Sequence, residues 1–438
     1  MDSRPLAARP SLEQYKKQAK ELVKALRAAG SSKFHDSEVI QRVRKHHLQF
    51  ADPPDDEIAR TKFALADAQL VIAREHGFES WPKFAKQVEA TAQANFASSL
   101  NDPVAEFIVA GCVPRDGSHV SGTLERAEAI LVAHPELARA GIHTAAILGD
   151  ASSVQRFLAL DAGNATAKGG PHDWDALTHL CFSRYLRLDS ARSDGFAAAA
   201  KALLDAGARA NTGWYEMIDH PNPRPTFESA IYGAAGIAQH AELTRLLLER
   251  GADPNDEETP YHVPETRDNT VMKILVESGK LNDTSLTTML LRKTDLHDYE
   301  GLKCLLEHGA DPNRPTRWGR TAFQHALLRD NGIDMLKALL EHGADPTLMA
   351  ERPDPRRADG PNMSAVAMAA RRGRGDVLDL MEQRGIPIEL QGVERLITDC
   401  ARNEAAKGEE EPAGFVDQQD SHPNSGVIRA GQGSDSSL

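Results

Sequence analysis

The chain has 438 residues, of which 41% are hydrophobic, 5% are aromatic and 26% are charged, and its formal net charge is −13 at pH 7. This content is enough to bury a large core, and the length would ordinarily predict two or three domains. The acidic balance argues against a general nucleic-acid-binding function, because phosphate binding requires a strongly basic surface.

The sequence also predicts the compartment. No run of about 18 apolar residues occurs, and residues 1–10 contain no apolar stretch, so we expect no membrane span and no secretory signal. The four cysteines lie far apart, which is typical of free thiols in a reducing compartment: Cys112, Cys181, Cys304 and Cys400. We therefore expect a cytoplasmic protein.

Residues 1–90 are predicted to form a separate helical module. Apolar residues recur at helical spacing from Leu12 to Leu26, and Gly30 follows as a stop signal. Two further helices are predicted over residues 36–47 and 63–76, and a fourth opens at Ser80-Trp81-Pro82, since proline is tolerated in a first turn.

The same module admits an alternative function, that of a nucleic-acid-associated regulator. Residues 73–77 (Ala-Arg-Glu-His-Gly) resemble the end of a first helix and the turn of a helix-turn-helix. However, Lys83 stands where that motif needs an apolar residue, and Pro82 would lie within the recognition helix. With 16 basic and 13 acidic residues the module carries a net charge of only +3. A structural helical cap is therefore the favoured interpretation.

Beyond residue 90 a repeated phrase organises the chain. Residues 305–313 (Leu-Leu-Glu-His-Gly-Ala-Asp-Pro-Asn) return nearly unchanged 34 positions later as residues 339–347, which end in Thr347, and related phrases occupy residues 247–255 and 203–211. The paired leucines indicate the apolar face of a helix, the glycine ends that helix, and Asp-Pro directs the chain into a turn.

The earlier copies are longer or less regular. Residues 104–135 and 141–163 match the pattern poorly, and 44 positions separate Gly163 from Gly207 and Gly207 from Gly251. These spacings predict extra residues in the helices or in the finger loops, which follow the glycine of one repeat and lead to the first helix of the next. Such insertions collect on one face of a repeat stack, which is often the binding face.

A period near 33 residues with these features resembles the ankyrin repeat. Residues 321–326 (Thr-Ala-Phe-Gln-His-Ala) keep the Thr and the final Ala of the family motif Thr-Pro-Leu-His-x-Ala and lack its Pro and His. Gly77-Phe78 with Ser80-Trp81-Pro82 is similar to an N-terminal extension found on bacterial ankyrin-repeat proteins. The resemblance implies an all-α ankyrin-repeat solenoid of about 7–8 repeats in residues 91–400, preceded by the helical module 1–90. Residues 401–438 are predicted to be a disordered acidic and polar tail.

We find no catalytic, cofactor-binding or metal-binding pattern. His179 and Cys181 stand two positions apart, so on a helix they point to different faces and are not a nucleophile pair. His308 and His342 recur only because the repeat recurs, at helix ends where a cation suits the dipole. We expect no enzyme, no cofactor and no metal; an enzyme built in a repeat insertion is the alternative.

The ankyrin resemblance implies a protein-interaction scaffold that binds another protein on its concave face of fingers and first helices. Large aromatic side chains in the fingers are the candidate contact residues, because such side chains are enriched in binding hot spots. They are Trp174, Trp214, Tyr215, Tyr261 and Trp318. In the alternative interpretation each ring packs on its own first helix. We expect a monomer with no membrane partner.

Overall fold

The computed structural model describes residues 4–7, 10–31, 37–54, 57–58, 61–115, 117–218, 224–349 and 363–401. The chain divides into two compact units, Met1–Ala365 and Val366–Leu438. Most of the described residues are helical. Among them, no helix combines the length and the apolar character needed to cross a membrane.

The first unit begins with four helices that share one core. Their bounds are Leu12–Ser31, Ser37–His46, Leu65–Glu75 and Trp81–Ala97. Because apolar residues recur at helical spacing, Tyr15 and Phe84 face inward, and their rings meet edge to face with centroids 4.9 Å apart. The fourth helix runs beyond residue 90 and packs against the helix Glu125–Ala133 that follows.

Seven helix pairs follow in the described part of the first unit. They are Pro103–Gly111 with Glu125–Ala133, Ile142–Ile147 with Ala151–Leu160, Ala176–Cys181 with Ser193–Asp205, Tyr232–Ile237 with Ala241–Glu249, Glu258–His262 with Thr270–Glu277, Asp283–Asp295 with Tyr299–Glu307, and Ala322–Leu328 with Ile333–Glu341. The first helix of the fourth pair is a π-helix. Leucines of the second helices, such as Leu305 and Leu339, are fully buried between neighbouring pairs.

The glycine in the middle of each repeated phrase closes its helix as the sequence predicts. Gly343 has a φ of 85°, in the left-handed region that an L side chain rarely adopts. This conformation lets the amide of Ala344 reach back to the carbonyl oxygen of Leu339 at 3.0 Å, which satisfies a carbonyl at the helix end.

Asparagines in the turns connect one repeat to the next. The side chain of Asn211 donates to the carbonyl oxygen of Gly251 at 3.0 Å and accepts from the amide of Asp253 at 2.8 Å. Asn255 makes the same two bonds with Lys280 and Asn282, both at 2.9 Å. Each amide side group thus pairs with a backbone N–H and a backbone carbonyl of the following turn.

The repeat between Gly207 and Gly251 contains a β-hairpin in its finger. Strand β1 (Gly213–Ile218) pairs antiparallel with β2 (Arg224–Ser229), and Tyr215 lies opposite Phe227. The predicted all-α class describes the fold as a whole, and this two-stranded finger is a local exception to it. The predicted insertion between Gly163 and Gly207 contains the short helix Arg184–Leu188.

The second unit is described only up to residue 401. Its helices are Ala365–Arg371, which begins at the boundary, Gly375–Gln383 and Gly392–Ala401. Arg371 and Glu394 form an ion pair of 2.6 Å between the first and the last of these helices. The predicted disordered tail, residues 401–438, lies outside the described residues except for Ala401.

Candidate functional site

The finger hairpin has two chemically different faces. Because successive side chains of a strand point to opposite sides, Tyr215 and Met217 point outward and are 63% and 58% exposed. Trp214 and Glu228 point inward and are 5% and 1% exposed. The hairpin therefore presents an apolar face to solvent and a mixed aromatic and acidic face to the repeats.

The outward face continues toward two further predicted residues. Tyr215 packs on Phe227 across the strands, with ring centroids 5.1 Å apart. Tyr261 and Trp318 are half-buried and lie 5.9 Å apart. We call Tyr215, Met217, Phe227, Tyr261 and Trp318 the outer surface.

Arginines flank and connect the two parts of this outer surface. The guanidinium of Arg317 lies 4.7 Å from the centroid of the Trp318 ring. Its Nη1 is 3.4 Å from Oε2 of Glu257, and the same carboxylate oxygen lies 3.6 Å from Nη1 of Arg224 on the hairpin. Since Arg224, Glu257 and Arg317 are all exposed, two guanidinium groups share one carboxylate at the surface.

Tyr261 lies in a helix and not in a finger loop, which corrects the sequence prediction. It belongs to the first helix Glu258–His262 of the fifth pair. Its ring contacts the guanidinium of Arg292, 4.2 Å from the ring centroid, so one side of the ring is already occupied. The turn after Gly251 is short enough that this helix begins within seven residues.

The expectation that Trp174 and Trp214 lie on the surface is wrong. Trp174 is only 3% exposed, and the two indoles stack on each other with centroids 5.2 Å apart. Arg115, from the loop between the helices of the first pair, covers Trp214 with its guanidinium 5.3 Å from the ring centroid. His172 stacks on Trp174 at 4.5 Å. Neighbouring repeats and this loop therefore bury both rings.

The inward face of the hairpin meets a histidine from a distant part of the sequence. His119 lies in the loop between Gly111 and Glu125, and its Nε2 is 3.3 Å from Oε2 of Glu216. Its Nδ1 is 3.9 Å from Oε2 of Glu228 and 3.0 Å from the hydroxyl of Tyr232. His119, Glu216 and Glu228 each offer one nitrogen or oxygen atom, and these three atoms lie within 4.8 Å of one another. This spacing is compatible with metal binding.

Burial shifts the pKa values of Glu228 and His119, whereas hydrogen bonds shift that of the neighbouring His262. Burial, together with the negative charges of Glu258 and Glu216, raises the pKa of Glu228 to about 8. Burial and the positive charge of His262 lower the pKa of His119, so its imidazole is held neutral. Burial alone would lower the pKa of His262, but hydrogen bonds to Glu258 and Glu265 raise it to about 9.

Sequence reasoning did not identify the cluster of His119, Glu216 and Glu228, because no local spacing joins its members. The available signal was the pair of aromatic residues Trp214 and Tyr215 directly after Gly213, since aromatic residues are enriched in strands. By contrast, His179 and Cys181, which the sequence spacing excluded as a nucleophile pair, are both buried.

The repeated helix pairs, the glycine-closed turns and the finger hairpin define an all-α ankyrin-repeat solenoid. The model of the family described as ankyrin repeats in many copies matches residues 295–340, which lie in the sixth and seventh helix pairs. Ankyrin repeats are in general modules for protein–protein interaction. A search of the curated proteins finds no match to this sequence.

Several solved ankyrin structures are similar to parts of the chain. The human ASB11 ankyrin repeat domain is 20% identical. The match covers 51% of this chain and 99% of the ASB11 chain, with a TM-score of 0.36. The ankyrin repeat domain of Bcl-3, described as a unique member of the IkappaB protein family, is 20% identical. The match covers 50% of this chain and 96% of the Bcl-3 chain, with a TM-score of 0.38. An ankyrin repeat domain from Acinetobacter baumannii AYE is 19% identical. The match covers 56% of this chain and 97% of the Acinetobacter chain, with a TM-score of 0.29.

Proposed function

We propose that this protein is a non-enzymatic scaffold that binds another protein through its outer surface. The observation that carries the proposal is the exposed apolar face of the finger hairpin, where Tyr215 and Met217 stand side by side in solvent. Exposed aromatic side chains next to arginines are typical of the residues that dominate the energy of protein interfaces.

The chemistry of the outer surface specifies the kind of partner. Tyr215 and Met217 supply apolar contact area, whereas Arg224 and Arg317 supply two guanidinium groups for the single carboxylate of Glu257. A protein segment that carries apolar side chains followed by a carboxylate complements both parts, because a second carboxylate completes the charge pairing.

A peptide-library selection against the full-length protein tests this function. We expect selected peptides to combine apolar and acidic residues and to lose at least about tenfold in affinity against a Tyr215→Ser, Met217→Ser double variant. The control is Leu160→Ser, which changes an equally exposed apolar residue on the helix Ala151–Leu160. Peptides that bind the double variant as tightly as the unchanged protein would refute the assignment of this surface.

The nucleic-acid alternative receives little support from the N-terminal module. The guanidinium of Arg42 pairs with the carboxylate of Glu75. Arg44 donates to the carbonyl oxygen of Pro53 at 2.8 Å, and Arg74 to that of His46 at 3.2 Å. These contacts weigh against a phosphate-binding role for the three arginines. Duplex DNA binding that weakens steeply with salt, measured by fluorescence anisotropy, would revive the alternative.

The enzyme alternative requires polar groups that converge on an accessible pocket. Polar groups do converge in the repeat insertion, at Glu216 and Glu228, but His119 and its loop cover them and Glu228 is almost completely buried. A substrate would have to displace that loop to reach the carboxylates. The geometry therefore favours a role in holding the structure together over a role in turnover.

A further inference from the structure

We propose that His119, Glu216 and Glu228 bind a divalent transition-metal ion of the Zn²⁺ type, which fixes the loop between Gly111 and Glu125 to the finger hairpin. The three side chains belong to two segments far apart in the sequence and converge within 4.8 Å. Zinc bonds to imidazole nitrogen and carboxylate oxygen are about 2.0–2.2 Å long, so small side-chain rotations bring all three atoms to one ion.

Two buried polar atoms in this cluster lack a hydrogen-bond partner in the described structure. They are Nε2 of His119, a residue only 8% exposed, and Oε2 of Glu228. The Nε2 atom lies at ion-pair distance from Glu216 but outside hydrogen-bond geometry. Leaving such atoms unpaired in the interior destabilises the fold, and a bound cation would satisfy both.

The other nitrogen of His119 is already held in place. Its Nδ1 lies 3.0 Å from the hydroxyl of Tyr232, which is itself buried. A hydrogen bond from Nδ1–H to an oxygen leaves Nε2 with a lone pair, and this atom lies 3.3 Å from Oε2 of Glu216. Metal-binding histidines almost always have such a partner on the second nitrogen, because it fixes the tautomer and the ring orientation.

The charges point to a divalent ion. Glu216 and Glu228 offer one carboxyl group each beside the imidazole of His119, and Glu258 and Asp256 add further negative potential at Glu228. A doubly charged cation balances both carboxylates once Glu228 has released its proton to solvent. The imidazole nitrogen favours a first-row transition metal over Mg²⁺ or Ca²⁺, since those ions prefer oxygen ligands.

Solvent reaches the cluster from one side only. The side chain of Glu216 is 19% exposed, whereas those of His119 and Glu228 are enclosed. An ion with three protein ligands keeps one position for water, and Glu216 marks the place where water and the ion enter. The proposed site is therefore an internal cross-link between the loop and the hairpin.

Metal binding to the full-length protein tests the proposal directly. After treatment with EDTA and dialysis at pH 7.5, we expect the protein to take up one Zn²⁺ per molecule, measured by competition with a chromophoric chelator. Glu228→Gln, which keeps the shape and removes one carboxylate, should weaken that binding at least about tenfold. Glu249→Gln on an exposed helix end and His308→Ala are the matched controls and should bind as the unchanged protein does.

A thermal melt separates loss of the site from loss of the fold. Because burial disfavours the charged form of Glu228, the uncharged side chain introduced by Glu228→Gln is a close match for it, so the metal-free variant should melt no lower than the unchanged protein. Added Zn²⁺ should raise the melting temperature only of the unchanged protein. Either of two results overturns the proposal: no uptake of Zn²⁺, Co²⁺ or Mn²⁺ by the unchanged protein, or undiminished uptake by Glu228→Gln.

Discussion

The hydroxyl oxygen of Tyr232 lies 3.0 Å from Nδ1 of His119, although the two residues are 113 positions apart. His119 belongs to the loop of the first helix pair and Tyr232 to the first helix of the fourth. In a repeat stack each unit ordinarily contacts only its neighbours. This loop therefore couples repeats that the stack alone would leave independent.

Tyr232→Phe tests that coupling. The change keeps the ring and removes only the hydroxyl, so it should cost about 1–2 kcal/mol of unfolding free energy and speed hydrogen exchange in residues 117–122. Tyr215→Phe removes an exposed hydroxyl from the hairpin and should change stability by less than about 0.5 kcal/mol. Equal effects of the two changes would show that the long-range contact contributes nothing.

Truncation of two neighbouring residues on β1 should cost very different amounts of unfolding free energy. Trp214→Ala removes a buried indole that packs on Trp174 and Phe182, and we expect a loss of about 3–5 kcal/mol in urea unfolding. Tyr215→Ala removes an exposed ring and should cost at most about 1 kcal/mol, mainly the cross-strand contact with Phe227. A costly change at Tyr215 would mean that the hairpin faces are assigned in the wrong order.

A single leucine should show how far destabilisation spreads. Leu339 is fully buried between neighbouring helix pairs, so Leu339→Ala should cost about 2–5 kcal/mol. Hydrogen exchange should accelerate most in residues 299–349, because repeats depend on their neighbours. Leu160→Ala makes the same chemical change at a position 76% exposed and should have little effect. Uniform acceleration along the whole protein would contradict this picture.

Asp295 should stabilise the fold in a pH-dependent way. Burial opposes its ionisation, yet the hydrogen bond from His325 and the charges of Arg292 and Arg329 lower the pKa of Asp295 to about 2 from 3.8. A lowered carboxylate pKa contributes stability that is fully present above pH 3.8 and is lost as the pH falls toward 2; here it amounts to roughly 2 kcal/mol.

Urea unfolding of Asp295→Asn and the unchanged protein at several pH values measures this contribution. The unchanged protein should be the more stable of the two by a constant margin between pH 5 and 7, and the margin should shrink only below about pH 4. A margin that already changes between pH 5 and 7 would show that the ionisation of Asp295 is not the source of the effect.

The helices and turns were predictable because their signals are local. The helix ends at Gly309 and Gly343 follow from a residue that alone adopts positive φ without strain, within one phrase of nine residues. Periodicity likewise predicted the helices Leu12–Ser31 and Leu65–Glu75 to within a few residues. Nothing beyond one or two helical turns is needed to recognise either pattern.

The two-faced hairpin and the cluster beneath it were not predicted, because they depend on contacts between distant segments. The burial of Trp214 requires Arg115 and His119 from a loop about a hundred residues away, and no pattern in either segment refers to the other. Finger aromatics were expected at the surface on the general ground that large aromatic side chains are enriched in binding hot spots. The loop over the hairpin overrides that rule for Trp174 and Trp214, while Tyr215 follows it.

The asparagine bonds between turns run in one direction along the sequence. Asn211 and Asn255 each supply a side-chain amide, and the following turn supplies only backbone N–H and carbonyl groups. Asn313 does the same toward Gly343 and Asp345. These two bonds constrain no side chain of the receiving turn, which needs only the glycine that its own helix end requires. Gene duplication can therefore lengthen such an array after an asparagine-bearing turn, provided that the incoming unit carries that glycine.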